Sequence, residues 1–384
     1  MSDYNIYLTN DAGVRIPTSA DGTLASLNTI LSMEATRDAN RVGTLHLRVP
    51  ATFNPDLLQR DCGVQIWRAP RGGRMSLWRP YFIRRWRFSS RDGTDQVEIW
   101  GYCPNYLLTA RIVANYAGED DVSAFSSEYA DDAMKKIVTD SQSDSLSPAT
   151  SAGTRDWDDF SVHQDLSDGP QLSFESSLKR LLTMSGAGVL PKISAASRVA
   201  GDEVFFDVAV SDVSATSIEY EFRTYTDQPG ADLSSGNNRV LFSQRDGSLR
   251  NPSLEYDYTD EISYVYAGGQ GVGENRNVQQ VYDSDRYLAS RWARREGFAD
   301  ARNQDIEDDD AVRESGRALL NSHRGRVLFS GELVDTEATR FGADWSWGDR
   351  VVAKYRNREV DVIVRTVALV VQDGRETVVA KIND

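Results

Sequence analysis

Three histidines, two cysteines and several clustered carboxylates are the side chains of this 384-residue chain whose types could do chemistry. His46, His163 and His323 lie far apart, and Cys62 and Cys103 are the only cysteines. Two cysteines are too few for a disulfide scaffold or a cysteine-ligated zinc site. Catalytic metal sites and Ser/His hydrolases usually draw on more histidines. So few cysteines point to assembly in a reducing cytoplasm.

The carboxylates make weaker patterns. Asp156, Asp158 and Asp159 flank Trp157 and Phe160, the residue types a glycosidase uses to protonate and stabilise at a sugar ring. Neighbours on a polar loop point in unrelated directions, however. The stretch from Gln164 to Glu175 places Asp168, Gly169 and Glu175 as in the second half of a calcium loop, but Leu166 occupies a ligand position. Asp305, Glu307, Asp308, Asp309 and Asp310 read as an acidic helix start on solvent rather than a cation site.

Gly268 to Arg276 (GGQGVGENR) has glycines but the spacing of neither phosphate-binding motif, and reads as a bulge or turn. The run from Arg74 to Phe88 (RMSLWRPYFIRRWRF) has the mixture that clamps single-stranded nucleic acid. Strand alternation instead puts Trp and Phe in a core and Arg outside, toward protein. No catalytic, cofactor-binding or metal-binding residue is assigned, no cofactor is expected, and the expected role is non-enzymatic.

The elements that must hold these residues are mostly strands. Thr44 to Val49, Val64 to Arg68, Tyr81 to Phe88 and Gln96 to Trp100 alternate or cluster apolar residues at strand length. Helical spacing occurs in Val122 to Thr139, Leu172 to Met184, Asp283 to Phe298 and Asp308 to His323. Between the first two, Asp140 to Gly169 is rich in Ser, Asp and Thr and reads as a long exposed loop. Strands return at Glu203 and again over Gly325 to Ile382. The net charge of −15 disfavours bulk attraction to nucleic acid. Neither a signal peptide nor a membrane span is read from the sequence.

The two β ends resemble each other. FIRRWRFSSRDGTDQVEI from Phe82 overlays IVRTVALVVQDGRETVVA from Ile363 at an offset of 281 without a gap, pairing Phe88 with Leu369, Gly93 with Gly374 and Val97 with Val378. Upstream, DCGVQIWR from Asp61 overlays DRVVAKYR from Asp349 at an offset of 288. Asp-Gly hairpins are common, so the repeat competes with coincidence. If it holds, each chain carries two similar units, and a threefold ring would present six.

This layout resembles the tail hub, or baseplate hub, proteins of long-tailed (siphophage-like) bacteriophages. The resemblance rests on LSMEATRDANRVGTLHLRVP, RDCGVQIWR, VLFSQRDGSLRNPSLEYDYTDEISYVYAGGQGVGENR and WSWGDRVVAKY, in that order. It implies a β-rich α+β chain with two small tube-type β-barrels at its ends and an α/β middle. The expected units are 1–110, 111–235 and 236–384, the last with helices inserted at about 284–323.

The implied function is structural: a homotrimer forming a pseudo-sixfold ring at the tail tip of the virion, assembled in the host cytoplasm. The ring would join the tail tube or distal tail protein ring to tip or receptor-binding proteins, and would close or gate a channel that DNA crosses without specific binding. An acidic lumen would let DNA slide. The alternatives are a tail-associated cell-wall or glycan hydrolase and a β-rich carbohydrate-binding module.

Overall fold

A computed structural model describes residues 3–17, 27, 29–70, 73–91, 93–111, 129–142, 160–164, 188–191, 193–194, 203–302 and 309–383. The first end unit comprises β1 (Asp3–Thr9), β2 (Ser32–Asp38), β3 (Thr44–Pro50), β4 (Gly63–Ala69), β5 (Ser76–Arg91) and β6 (Thr94–Tyr102). A middle unit follows with α1 (Ala130–Gln142), β7 (Ser161–Val162), β8 (Phe205–Val213) and β9 (Ile218–Tyr225). The second end unit opens with β10 (Leu241–Ser243) and β11 (Leu249–Asp257). An insert then supplies β12 (Tyr264–Gly268), β13 (Val278–Tyr282), α2 (Ser284–Leu288), β14 (Glu296–Asp300) and α3 (Asp309–Ser322). The unit closes with β15 (Arg326–Val334), β16 (Arg350–Tyr355), β17 (Arg358–Ile363), β18 (Thr366–Gln372) and β19 (Arg375–Asn383).

Both end units contribute to one ten-stranded sheet in the order β1-β4-β5-β6-β3-β2-β18-β19-β15-β11. Alternation within each strand decides which face is covered. Leu45, Leu47 and Val49 of β3 and Val367, Leu369 and Val371 of β18 point to the same buried core, which spans both ends of the chain. The two ends, expected as two similar small β-barrels, contribute to a common sheet and core.

The middle unit has its own core. Acidic Asp131 and Asp132 begin α1, and Ala133, Met134, Ile137 and Val138 recur on the face packed with Phe206, Val208 and Phe222. A third core lies under α3, where Val312 and Leu320 cover Val265 and Ala267. Gly316 permits that approach: a Cβ there would meet the Val281 side chain at 2.9 Å.

Of the expected helix Asp308–His323, Asp309–Ser322 is observed as α3, whereas Asp283–Phe298 is not one helix. Its start forms the short α2, capped by the Asp283 carboxylate, which accepts from the amides of Asp285 and Arg286 at 3.1 Å each. The remainder becomes β14, parallel to β12 over five pairs from Tyr264↔Glu296 to Gly268↔Asp300. Pairing with a buried neighbour overrides local helix spacing there. The expected helix Leu172–Met184 lies outside the described residues.

Candidate functional site

The residues with chemical potential do not converge. His46 stacks on Trp100 with ring centroids 5.1 Å apart, His163 sits 3.2 Å from Glu221, and His323 ends α3 beside the Ser322 hydroxyl. Cys62 and Cys103 are buried, unpaired thiols; burial pushes the Cys62 thiol up, and Cys103 Sγ accepts from the Gly43 amide at 3.0 Å. Among the described residues, no group of three His, Cys, Asp or Glu is placed to hold a metal ion.

The acidic candidates fare likewise. Asp309 accepts from the Asn277 amide at 2.8 Å and Asp310 pairs with Arg313 at 2.9 Å, as solvated helix-start residues do. Asp156, Asp158, Asp159, Asp168, Glu175, Asp305, Glu307 and Asp308 lie outside the described residues. Phe160 is buried in the middle core. In the glycine stretch, Arg276 donates to the carbonyls of Gly269 and Gly268 at 3.2 and 3.3 Å, closing a turn on the chain's own side chain. A cleft of about 230 Å³ between first and middle units is lined by Thr9, Asp11, Asp61 and Tyr220 among others, and Asp61 is tied to Arg84.

What the sheet does bring together is the two halves of the repeat. Phe88 pairs with Val97 and Trp86 with Ile99 in the first hairpin; Leu369 pairs with Val378 and Val367 with Ala380 in the second. Every such pair is displaced by 281 on both strands, so the hairpin alignment read from sequence matches the hydrogen-bonded register. Upstream the register corrects it by one residue. Gly63 faces Phe82 while Arg350 faces Ile363, an offset of 287, so the fully buried Val64 corresponds to Val351 rather than Val352. A one-residue slip would exchange the faces of the strand.

The junction of the two halves is a seven-pair antiparallel ladder between β2 and β18, from Thr366↔Asp38 to Gln372↔Ser32. Its inward pairs, Leu369↔Ala35 and Val371↔Met33, are buried and apolar. The next inward position, Arg37, lays its guanidinium over Trp347 at 3.7 Å and reaches Asp207 of β8 at 2.8 Å. Arg79 of β5 holds both oxygens of Asp207 at 2.7 and 2.5 Å. Burial alone would raise the Asp207 carboxyl; the two guanidiniums outweigh it and hold the group below its ordinary value. Beside this pair, Arg365 meets Glu203 at 2.5 Å, and Asn40 bonds Glu203, the Val204 carbonyl and the Phe206 amide. First, middle and second units therefore meet on one network of charge-assisted bonds.

A second tie joins the end units away from the sheet junction. Arg68 reaches Glu376 through two nitrogens at 3.0 and 2.6 Å and donates to the Phe341 carbonyl at 3.0 Å.

The basic aromatic run behaves differently from the expected alternation. Tyr81 and Ile83 are core residues, but Arg79 is buried at 3% exposure and Phe88 is 40% exposed. Sequence reasoning missed the Arg79–Asp207 pair. The available signal was a lone aspartate inside the apolar strand EVFFDVAV, since an interior charge requires a partner.

Exposed large apolar side chains fall into three groups. Met75, Phe88 and Tyr102 lie on or beside β5 and β6, and Tyr256, Tyr258 and Val327 lie at the β11 end of the same sheet. Val272, Val278, Tyr282, Leu288, Trp292 and Phe298 belong to the insert.

Comparison with known proteins agrees with this architecture. A tail protein from Neisseria meningitidis MC58 superposes with a TM-score of 0.52 at 12% identity, covering 100% of this chain and 97% of that one. The 43 kDa tail protein of prophage MuSo2 from Shewanella oneidensis gives 0.53 at 11% identity, covering both chains completely, 100% of each. A chain of the lidded Francisella PdpA–VgrG complex gives 0.54 at 10% identity, covering 100% of this chain and 52% of that chain. These likenesses are of fold. No curated protein matches the chain in sequence. The siphovirus ReqiPepy6 Gp37-like protein family matches residues 20–382, nearly the whole chain and both copies of its hairpin, so the chain belongs to that family.

Proposed function

We propose that the chain is a non-catalytic hub of a phage tail, three copies of which form a ring at the tail tip. The observation that carries this reading is the repeat. Two hairpins of identical register, β5–β6 and β18–β19, lie in one sheet with β3 and β2 between them, so a chain supplies two near-equivalent segments of a ring wall and three chains supply six. Such a ring matches a sixfold tube on one side and a threefold tip on the other.

In this reading the end units (1–110 and 236–384) build the wall, while the middle unit (111–235) and the insert face neighbouring tail or tip proteins. The solvent face of the sheet would line the channel. It carries Glu34, Glu98 and Glu332 together with Arg48, Arg87 and Lys381, so the lining is mixed in sign rather than uniformly acidic. Interspersed carboxylates still oppose tight phosphate binding, and DNA passes without specific contacts.

The test is the mass and shape of the purified chain by native mass spectrometry and electron microscopy. A closed ring of three copies with six wall segments is the expected result. A stable monomer across the accessible concentration range, or an open fibre, would overturn it.

A further inference from the structure

Strand alternation sorts β1, β4 and β5 into two faces where they meet. Leu8, Val64 and Tyr81 enter the common core, while Thr9, Gly63, Gln65 and Phe82 stand on the opposite face. The loop after β1 and the start of β9 close over that second face. The Arg15 amide donates to the Ala215 carbonyl at 3.1 Å, and Gly13 lies against Ile218 with no room for a Cβ. A cleft of about 230 Å³ remains between them. That is space for about eight waters at ~30 Å³ each. It falls below the roughly 300–1,000 Å³ of sites for drug-sized ligands, so it suits one small ring and not a chain.

The lining is mixed in a specific way. Gln65, 1% exposed, accepts through Oε1 from Arg15 Nε at 2.9 Å and from Trp67 Nε1 at 3.2 Å. Both neighbours can only donate, which fixes the orientation of the amide, and its Nε2 is left buried without an acceptor among the described residues. A buried donor of this kind calls for a partner. Asp11 and Asp61 are exposed at the rim, and Arg84 holds one oxygen of Asp61. Phe82 and Tyr220 form an aromatic wall, with ring centroids 5.7 Å apart. Thr9 Oγ1 stands over Gly63, where a Cβ would lie 2.5 Å from it, so the floor is clear only because residue 63 has no side chain.

The repeat separates what the fold needs here from what it does not. At the register offset of 287, Asp61, Gly63 and Gln65 correspond to Gly348, Arg350 and Val352. The turn before the strand is left-handed in both copies, with φ of +65° at Asp61 and +85° at Gly348. Aspartate bears a strain there that glycine avoids. The second copy therefore builds the same turn and strand without the carboxylate, the bare floor or the amide, and all three differences gather at the cleft.

We propose that this cleft binds a single uncharged sugar ring. A guanidinium or ammonium group would suit Asp11 and Asp61 but offers no acceptor to Gln65; a phosphate or carboxylate would satisfy Gln65 but is repelled by the two acids. A neutral pyranose meets both demands. Its hydroxyls donate to the carboxylates and accept from the amide, and its C–H face rests on Phe82 and Tyr220. The cleft lies within one chain, so the inference stands apart from the ring reading.

The test is saturation-transfer difference NMR on the full chain, with the methyl glycosides of glucose, galactose, mannose, N-acetylglucosamine and rhamnose as probes and N-acetylarginine amide as the competing chemistry. At least one glycoside should bind with a dissociation constant in the millimolar range, as expected for so few atoms. Asp61→Gly should weaken it by about tenfold or more without lowering the melting temperature, because glycine suits the left-handed turn. Asp11→Ala, on an exposed loop, should also weaken it. Silence of every glycoside would overturn the proposal, as would unchanged binding in both variants. Binding of the arginine amide in place of the glycosides would overturn it too, and would make the cleft a seat for a protein side chain.

Discussion

Arg79 Nη2 lies 2.5 Å from Asp207 Oδ1, inside the junction of the first and middle units, with side-chain exposures of 3% and 1%. Neither charge reaches water, so each depends on the other. Asp207→Ala should destabilise the chain by about 3–5 kcal/mol, because it takes the carboxylate from the buried Arg79 guanidinium and from Arg37 beside it. Arg79→Met combined with Asp207→Leu should cost less than Asp207→Ala alone. Urea denaturation measures both, and a double variant as unstable as the sum of the singles would show that the two residues do not act as a pair.

The same carboxylate sets an acid limit. Its folded value is depressed by Arg79 and Arg37, and an unfolded aspartate titrates near about 4. The contribution to stability is therefore complete above about pH 4 and is lost as pH falls through the depressed value. Asp207→Asn should flatten the acid limb of a stability–pH profile below about pH 4. An unchanged limb would assign acid sensitivity to other carboxylates.

Equivalent repeat positions should respond unequally to the same truncation. Leu369 is fully buried beneath the β2–β18 junction, whereas Phe88, its counterpart, is 40% exposed. Leu369→Ala should cost about 2–5 kcal/mol of folding stability. Phe88→Ala should change the stability of the chain by no more than about 0.5 kcal/mol. Denaturation of dilute chain at high salt separates the two, and a large loss for Phe88→Ala there would mean that residue packs within the chain.

Gly93 and Gly374 turn the two hairpins with φ of +75° and +73°, and nothing lies within 4 Å of where a Cβ would stand. The constraint is backbone conformation alone. Gly374→Val should therefore lower stability by about 1–2 kcal/mol, with Gly374→Asn much milder. Equal effects of Val and Asn in thermal unfolding would point to steric crowding instead.

Duplex DNA should bind weakly. With a net charge of −15 and arginines opposed by carboxylates on the sheet face, fluorescence anisotropy at physiological salt should give a dissociation constant no tighter than about 100 µM. Micromolar binding would reveal a basic clamp and overturn the proposed passage of DNA without specific contacts.

Local pattern alone determined the strands whose alternation is strict, such as β3 with Leu45, Leu47 and Val49, and the alignment of the two hairpins about their Asp-Gly turns. Alternation and turn chemistry act between near neighbours, so they are written in the chain. Three features were decided only by tertiary structure. The strand Glu296–Asp300 exists because β12 offers it a parallel partner, although its residues sit in a helical spacing. Arg79 is buried, against the expectation for a basic run, because Asp207, far along the sequence, neutralises it. The joining of β2 to β18 brings two similar ends into one sheet. Pairing between distant strands depends on which backbone edges the rest of the fold leaves unsatisfied, and no local period carries that information.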